Sequence, residues 1–344
     1  MLLIRPLSIL FALALSTAQS MAQANELSAA AQSGSERMKR VSAALHEHTG
    51  VLSSDAYGGR APATEGGKLT TAYLEREFRA LGLKPGNGDS FLQAVPVTEL
   101  LTDSNTTLTF TGTNFDARLS YGDQMVVGTQ QQVTSTQLKD SPVVFVGYGI
   151  VAPERDWNDY AGIDVRGKTV VILVNDPGYA TQDGELFNGN AMTWYGRWVY
   201  KYEEAARQGA AGALIIHETG AAAYGWNVVE NSWSGPQISL TAQDNNANKS
   251  EVIGWLSQSS ARARPLADFN ANLILNNTIR RSSSNNVIAV IPGTKRPGEV
   301  IIYTAHWDHL GTNPGIAGDN IYNGAQDNAT GTAGLLSLAQ LFSQ

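Results

Sequence analysis

The chain has 344 residues, no cysteine, a net charge of −7, and 16% charged against 42% hydrophobic residues. Without cysteine there is no disulfide frame, so stability must come from packing and metal. No run of Lys and Arg is present, so nucleic acid is not an expected partner.

The first residues read as a secretory signal. Arg5 supplies the positive charge, Leu7 to Leu15 are almost wholly apolar, and Ala22-Gln23-Ala24 offers the small-x-small pattern of a cleavage site. The apolar run is shorter than the roughly 20 residues a membrane helix needs, and no later stretch is apolar enough. Residues 1–24 are therefore expected to be a signal peptide. The product would be periplasmic or secreted, in a bacterial setting, with no membrane span after cleavage. About 320 residues then remain, enough for two domains at about 100–200 residues each.

Residues 36–48 have helical periodicity, and Leu52 to Pro62 is rich in turn formers. Glu65 to Leu81 predicts an amphipathic helix, with Leu69, Ala72, Tyr73, Leu74, Phe78 and Leu81 on its apolar side. Gly82 is placed to close that helix and Pro85 to block its continuation. From about 105 the pattern changes to short β runs: Thr107–Phe110, Pro142–Gly149 and Lys168–Val174, the last followed by the turn Asn175-Asp176-Pro177-Gly178. Lys201–Gln208 predicts a helix, Ala213–His217 a strand and Pro236–Leu240 another; Asp244–Ser250 predicts a loop and Glu251–Leu256 a short helix. Near 268 the pattern changes again. Phe269–Ile279 alternates as a strand does, Asn286–Ile291 and Glu299–Ala305 predict buried strands, and Gly331–Phe342 a helix. This order fits an α/β domain with strands buried on both faces.

His306 and Asp308 stand two apart at the end of the strand expected at 299–305, so they would point to the same side. A carboxylate beside a ligand histidine accepts the far ring N–H and fixes the tautomer. Carboxyl ends of strands are also where open α/β sheets carry their sites. Asp327 lies in the loop Gly324-Ala325-Gln326-Asp327-Asn328 just before a helix, where its two oxygens could bridge two cations. From the residues alone, a satisfied polar pair and a metal ligand with its orienting carboxylate both remain open.

Three segments together resemble the M28 peptidases, the di-zinc aminopeptidases. They are Leu52–Pro62, Tyr303–Gly311 (with His306-Trp307-Asp308-His309) and Asn323–Gly331 (with Asp327-Asn328). The middle of the chain, with Gly147-Tyr148-Gly149 and Ala205–Ala213, resembles an inserted protease-associated domain. The resemblance implies a mixed-sheet phosphorylase/hydrolase-like zinc peptidase domain interrupted by a β-rich insertion. Its divisions would be 25–104 for the first part of the peptidase domain, 105–265 for the insertion and 266–344 for the start of the catalytic domain. It implies that His306 binds one zinc, that Asp327 bridges two zinc ions through a cis Asp327–Asn328 peptide, and that Asp308 holds His306. A Glu-Glu pair, a further acid and a late histidine complete the family's centre. None of these has a matching position here, because no His, Asp or Glu follows Asp327. The second zinc site is thus expected to be incomplete and the catalytic domain truncated. Gln326 stands where the family often has an acid.

The implied activity is removal of single residues from peptides with a free N-terminus. The rival readings are a non-catalytic truncated module that binds peptides or a partner, and a zinc acyltransferase of the glutaminyl-cyclase kind. Of the remaining histidines, His46 and His48 read as surface residues, His217 as a core or edge residue and His309 as a residue that orders its loop. Trp194, Tyr195, Trp198, Tyr200 and Tyr202 read as a packing cluster of the insertion, with a cleft wall as the functional alternative. An unfinished sheet would leave an apolar edge prone to aggregation.

Overall fold

Helix 34–52 leads into a tight 3₁₀ turn at Asp55–Arg60 and then into the helix Glu65–Ala80, as the apolar spacing predicts. The computed structural model describes residues 34–113, 115–262 and 268–343. The expected signal peptide at 1–24 and the expected break near 265 lie outside the described residues. Thr64 caps the helix Glu65–Ala80 by accepting from the Gly67 N–H at 3.3 Å. Its other end is a Schellman motif: Gly82 sits at φ 76°, its N–H reaches the Arg79 carbonyl, and the Leu83 N–H reaches that of Phe78.

The chain divides into two compact units, one of residues up to Gln93 together with those from Asn285, the other Ala94–Ser284. In the first, Tyr73, Leu74 and Phe78 pack with Leu52, Phe91 and Leu336, the last from the helix Thr330–Phe342. Two of the expected strands differ here. The segment expected as a buried strand at 286–291 is strand at 286–287, the end of Phe269–Val287, and at Ala289–Val290, which pairs with Lys84–Pro85, but none of it is buried. The segment expected as a buried strand at 299–305 forms no strand. Val300, Ile301 and Ile302 are 78%, 81% and 76% exposed. The sequence reading was wrong here about both strand and burial, because a strand is paired and covered only by neighbours that the sequence pattern does not display.

Adjacent exposed β-branched residues invite edge-to-edge association. Ile301→Lys is therefore expected to lower self-association of the 344-residue chain in light scattering. A wild-type chain that stays monomeric at high concentration would contradict this.

The second unit is built on a mixed sheet, ten-stranded among the described residues. Its centre is parallel: Val143–Phe145, Thr169–Leu173, Gly212–Ile216 and Val252–Leu256 lie side by side, with Gly212 opposite both Thr169 and Val252. Met125–Gly128 and Phe269–Val287 flank that centre antiparallel. Successive side chains enter opposite cores. Val170, Ile172, Ala213, Ile215, Ile253 and Trp255 pack with Tyr202 and Ala205 of the helix Trp198–Arg207; Val171, Leu214, Val252 and Leu256 pack with Phe110, Leu138 and Leu273. This two-sided burial explains the unbroken apolar runs in the sequence.

One expected element is corrected. Val252–Leu256 is a strand, not a helix, and all five residues are buried. A short apolar run does not show its period; Val252, Ile253 and Trp255 favour extended backbone. Gly254 matters too, since a Cβ there would lie 2.3 Å from the Val126 carbonyl oxygen of the neighbouring strand. No helix among the described residues is long and apolar enough to cross a membrane.

Lys201 is fully buried in this unit, its ammonium donating to the carbonyls of Tyr148 at 2.6 Å and Tyr195 at 3.2 Å. Burial pulls its pKa down to about 7, against the opposing pull of Asp159 and Asp176. The unfolded chain therefore holds this proton between about pH 7 and its ordinary value of 10.5, while the folded unit releases it. Stability should rise with pH across that window, by up to about 1.4 kcal/mol per pH unit. Above about pH 10 the buried tyrosines Tyr160 and Tyr202, whose pKa values burial raises, reverse the trend. Denaturant unfolding at pH 7 and 9 checks this: Lys201→Met should flatten the rise, and an unchanged pH slope in the variant would contradict it.

Candidate metal centre

His306 follows the segment 299–305, and Asp327 lies in the loop that enters the helix Thr330–Phe342. The two residues, twenty-one apart in sequence, meet: His306 Nε2 lies 3.2 Å from Asp327 Oδ1. The other ring nitrogen, Nδ1, faces Asp308, at 3.5 Å from Oδ1 and 3.2 Å from its backbone oxygen. All three side chains are open to solvent. The three expected site residues are thus brought together, with Asp308 and Asp327 on opposite sides of one imidazole.

The backbone around them is held by polar ties. The His306 carbonyl accepts from Asn328 Nδ2 at 3.1 Å and from Thr332 Oγ1 at 3.0 Å. Asn328 Oδ1 in turn accepts from the Gly331 N–H at 3.2 Å. The Asp327–Asn328 peptide is cis. Gly324 sits at φ 59°, and a Cβ there would fall 2.5 Å from the His309 ring. Only glycine lets the loop lie on that histidine. Asn323 Nδ2 reaches the Ser53 carbonyl at 2.9 Å and Asp55 Oδ1 at 2.7 Å, tying the loop to the turn after helix 34–52.

His309 is the more enclosed of the two histidines. Its Nδ1 faces the other Asp327 oxygen, Oδ2, at 3.8 Å. Burial lowers its pKa, with Asp327 pulling the other way. It packs in the loop, as expected.

Sequence reasoning missed Arg60. Its guanidinium is fully buried and donates to the carbonyls of Leu52, Trp307, Asn323 and Gly324 at 2.6–2.9 Å. Burial lowers its pKa, opposed by Asp308 and Asp327; an arginine keeps its charge regardless. The one signal was a lone cation inside a glycine-rich turn, Gly58-Gly59-Arg60-Ala61-Pro62.

The donors can be tested against a zinc ion. Zinc–nitrogen and zinc–oxygen bonds near 2.0–2.1 Å on a tetrahedron set two ligand atoms about 3.3 Å apart. The 3.2 Å between His306 Nε2 and Asp327 Oδ1 fits one edge of that tetrahedron. It does not complete it, since among the described residues no group of three or more His, Cys, Asp or Glu can hold an ion. A catalytic zinc usually takes three protein ligands.

The other histidines have structural duties. His48 bonds the Tyr73 hydroxyl and His46 is exposed. His217 is buried, bonds the Tyr224 carbonyl at 3.0 Å and packs on Trp226 and Trp255. The aromatic cluster divides: Tyr200 and Tyr202 are core, Trp194 and Trp198 are exposed.

Residues 286–344 match the model of the family described as Peptidase family M28. No curated protein matches the chain. Among solved structures it is similar to an aminopeptidase from Aneurinibacillus sp. strain AM-1, at 19% identity over 87% of this chain and 58% of that one, with a TM-score of 0.42. A peptidase M28 precursor from Shewanella amazonensis is 15% identical over 90% and 64%, with a TM-score of 0.43. A zinc aminopeptidase from Bacillus subtilis is 16% identical over 87% and 57%, with a TM-score of 0.39. The chain spans about three-fifths of the length of these structures.

Proposed function

We propose that the chain, whose residues 286–344 match the model of peptidase family M28, forms part of an exported, zinc-dependent aminopeptidase. The observation that carries the reading is the approach of His306 Nε2 to Asp327 Oδ1 within the matched segment. His306 and Asp327 hold metal. Asp308 fixes the His306 ring by facing Nδ1 and leaves Nε2 free for the ion. Asp327 Oδ1 faces His306, and the carboxylate would supply an oxygen to the ion. Bound zinc would supply Lewis acidity toward a peptide carbonyl and acidify a water.

Among the described residues the count of ligands stops short of three, so the centre read here is a partial one. Two further points support the reading. The exposed apolar segment Val300–Ile302 needs neighbouring strands to cover it, and residues 1–24 read as an export signal. The expected substrates are peptides with a free N-terminus.

A polypeptide with the full ligand set should hydrolyse leucine p-nitroanilide but not its N-acetyl derivative, and lose activity to chelator. Equal hydrolysis of the acetylated substrate, or indifference to chelator, would overturn the proposal. The 344-residue chain by itself should hydrolyse little; ready turnover that His306→Ala abolishes would show the centre to be complete without further ligands.

A further inference from the structure

We infer that Arg60 is a positioning residue of the metal centre: its guanidinium sets the segment that carries His306 against the loop that carries Asp327. The inference rests on the metal reading above and deepens it.

The observation is where the N–H groups go. Nε donates to the Trp307 carbonyl at 2.9 Å, one residue from His306 and one from Asp308. Nη1 donates to the Asn323 and Leu52 carbonyls, each at 2.6 Å, and Nη2 to that of Gly324 at 2.8 Å. Asn323 and Gly324 open the loop that ends in Asp327. A guanidinium is a rigid plane with five N–H donors in fixed directions. One such plane here spans both ligand-bearing segments and the end of helix 34–52, so the distance between the segments is built into the side chain. The backbone adds a further tie, since the His309 N–H donates to the Arg60 carbonyl at 3.3 Å.

A buried cation is a costly way to fill space. No carboxylate forms an ion pair with Arg60 among the described residues. Desolvation is met by carbonyl dipoles and by the fields of Asp308 and Asp327, both members of the site. An apolar side chain could fill the same volume, but it would take a donor from all four carbonyls, of which that of Gly324 alone would keep a second partner, the Ala329 N–H at 3.2 Å, and it would leave the two segments free to shift. A metal centre tolerates such shifts poorly, because its ligands must meet at bond distance.

Cobalt(II) titration of the 344-residue chain, read by visible absorption, tests this with Arg60→Lys and His306→Ala. Lysine keeps the charge and loses the plane. The wild-type chain, which offers two of the three ligands a catalytic site usually has, should bind cobalt weakly, and His306→Ala should not bind it measurably. Arg60→Lys should bind at least about tenfold more weakly, the loss typical of a residue that orients ligands, and its d–d bands should change shape. Should the lysine variant not fold, Arg60→Ala with added guanidinium replaces it, and recovery of the wild-type spectrum is expected. Wild-type affinity and an unchanged spectrum in Arg60→Lys, with His306→Ala silent, would overturn the inference alone, as would Arg60→Ala unrestored by guanidinium. A wild-type chain that binds no cobalt would overturn the metal reading, and the inference with it.

Discussion

Asp327→Ala should reduce the zinc affinity of the chain by more than 100-fold while leaving its unfolding temperature almost unchanged. Loss of a residue that only orients a ligand costs about 10–100-fold, and in the proposed reading Asp327, 3.2 Å from His306 Nε2, would bind the ion itself. Its carboxylate is 71% exposed, so removal leaves no buried group without a partner and little packing is lost. Asp308→Asn should fall inside the 10–100-fold range, because an amide can still face His306 Nδ1 without the charge that raises its basicity. Isothermal titration and thermal unfolding on the same samples separate binding from folding. If Asp327→Ala and the wild type gave the same isotherm, the carboxylate would not be a ligand.

Gly59→Ala should destabilise the first unit by more than about 3 kcal/mol, in the range reserved for named structural conflicts. Gly59 lies at φ 67°, and a Cβ there would sit 2.2 Å from the Gly311 carbonyl oxygen and 2.7 Å from that of Tyr322. The turn would have to leave the pairing of Gly311–Thr312 with Ile321–Tyr322, taking Arg60 with it. Its neighbour is the control. Gly58 also has a positive φ, 51°, but nothing lies within 4 Å of its added Cβ, so Gly58→Ala should cost only the conformational penalty of about 1–2 kcal/mol. Denaturant unfolding of the two variants should therefore differ clearly. Equal losses would mean that close approach, as opposed to backbone conformation, contributes nothing at Gly59.

Local patterns were legible where one element carries its own signal. The helix Glu65–Ala80 shows its apolar face and its Gly82 stop within a few residues. The strands Thr169–Leu173 and Gly212–Ile216 show unbroken apolar runs because both their faces are buried. What was not legible depends on partners distant in sequence. Val252–Leu256 read as a helix because five apolar residues do not display a period, and the approach of Met125–Gly128 that requires Gly254 is not written near it. Val300–Ile302 read as buried because the sequence states hydrophobicity, not whether a neighbour covers it. His306, Asp308 and Asp327 were singled out by their loop signatures, and the structure brings the three side chains together. Arg60 was not, since its partners Trp307, Asn323 and Gly324 lie some 250 residues away and contribute only backbone carbonyls, which leave no mark in a sequence.

The most direct test of a metal centre at His306 and Asp327 is X-ray absorption at the zinc edge on the chain loaded with one equivalent of zinc. The account predicts a first shell near 2.0 Å containing one imidazole and carboxylate oxygen, with the imidazole scattering gone in His306→Ala. A spectrum that keeps its imidazole in that variant would place the zinc on another histidine and contradict the account.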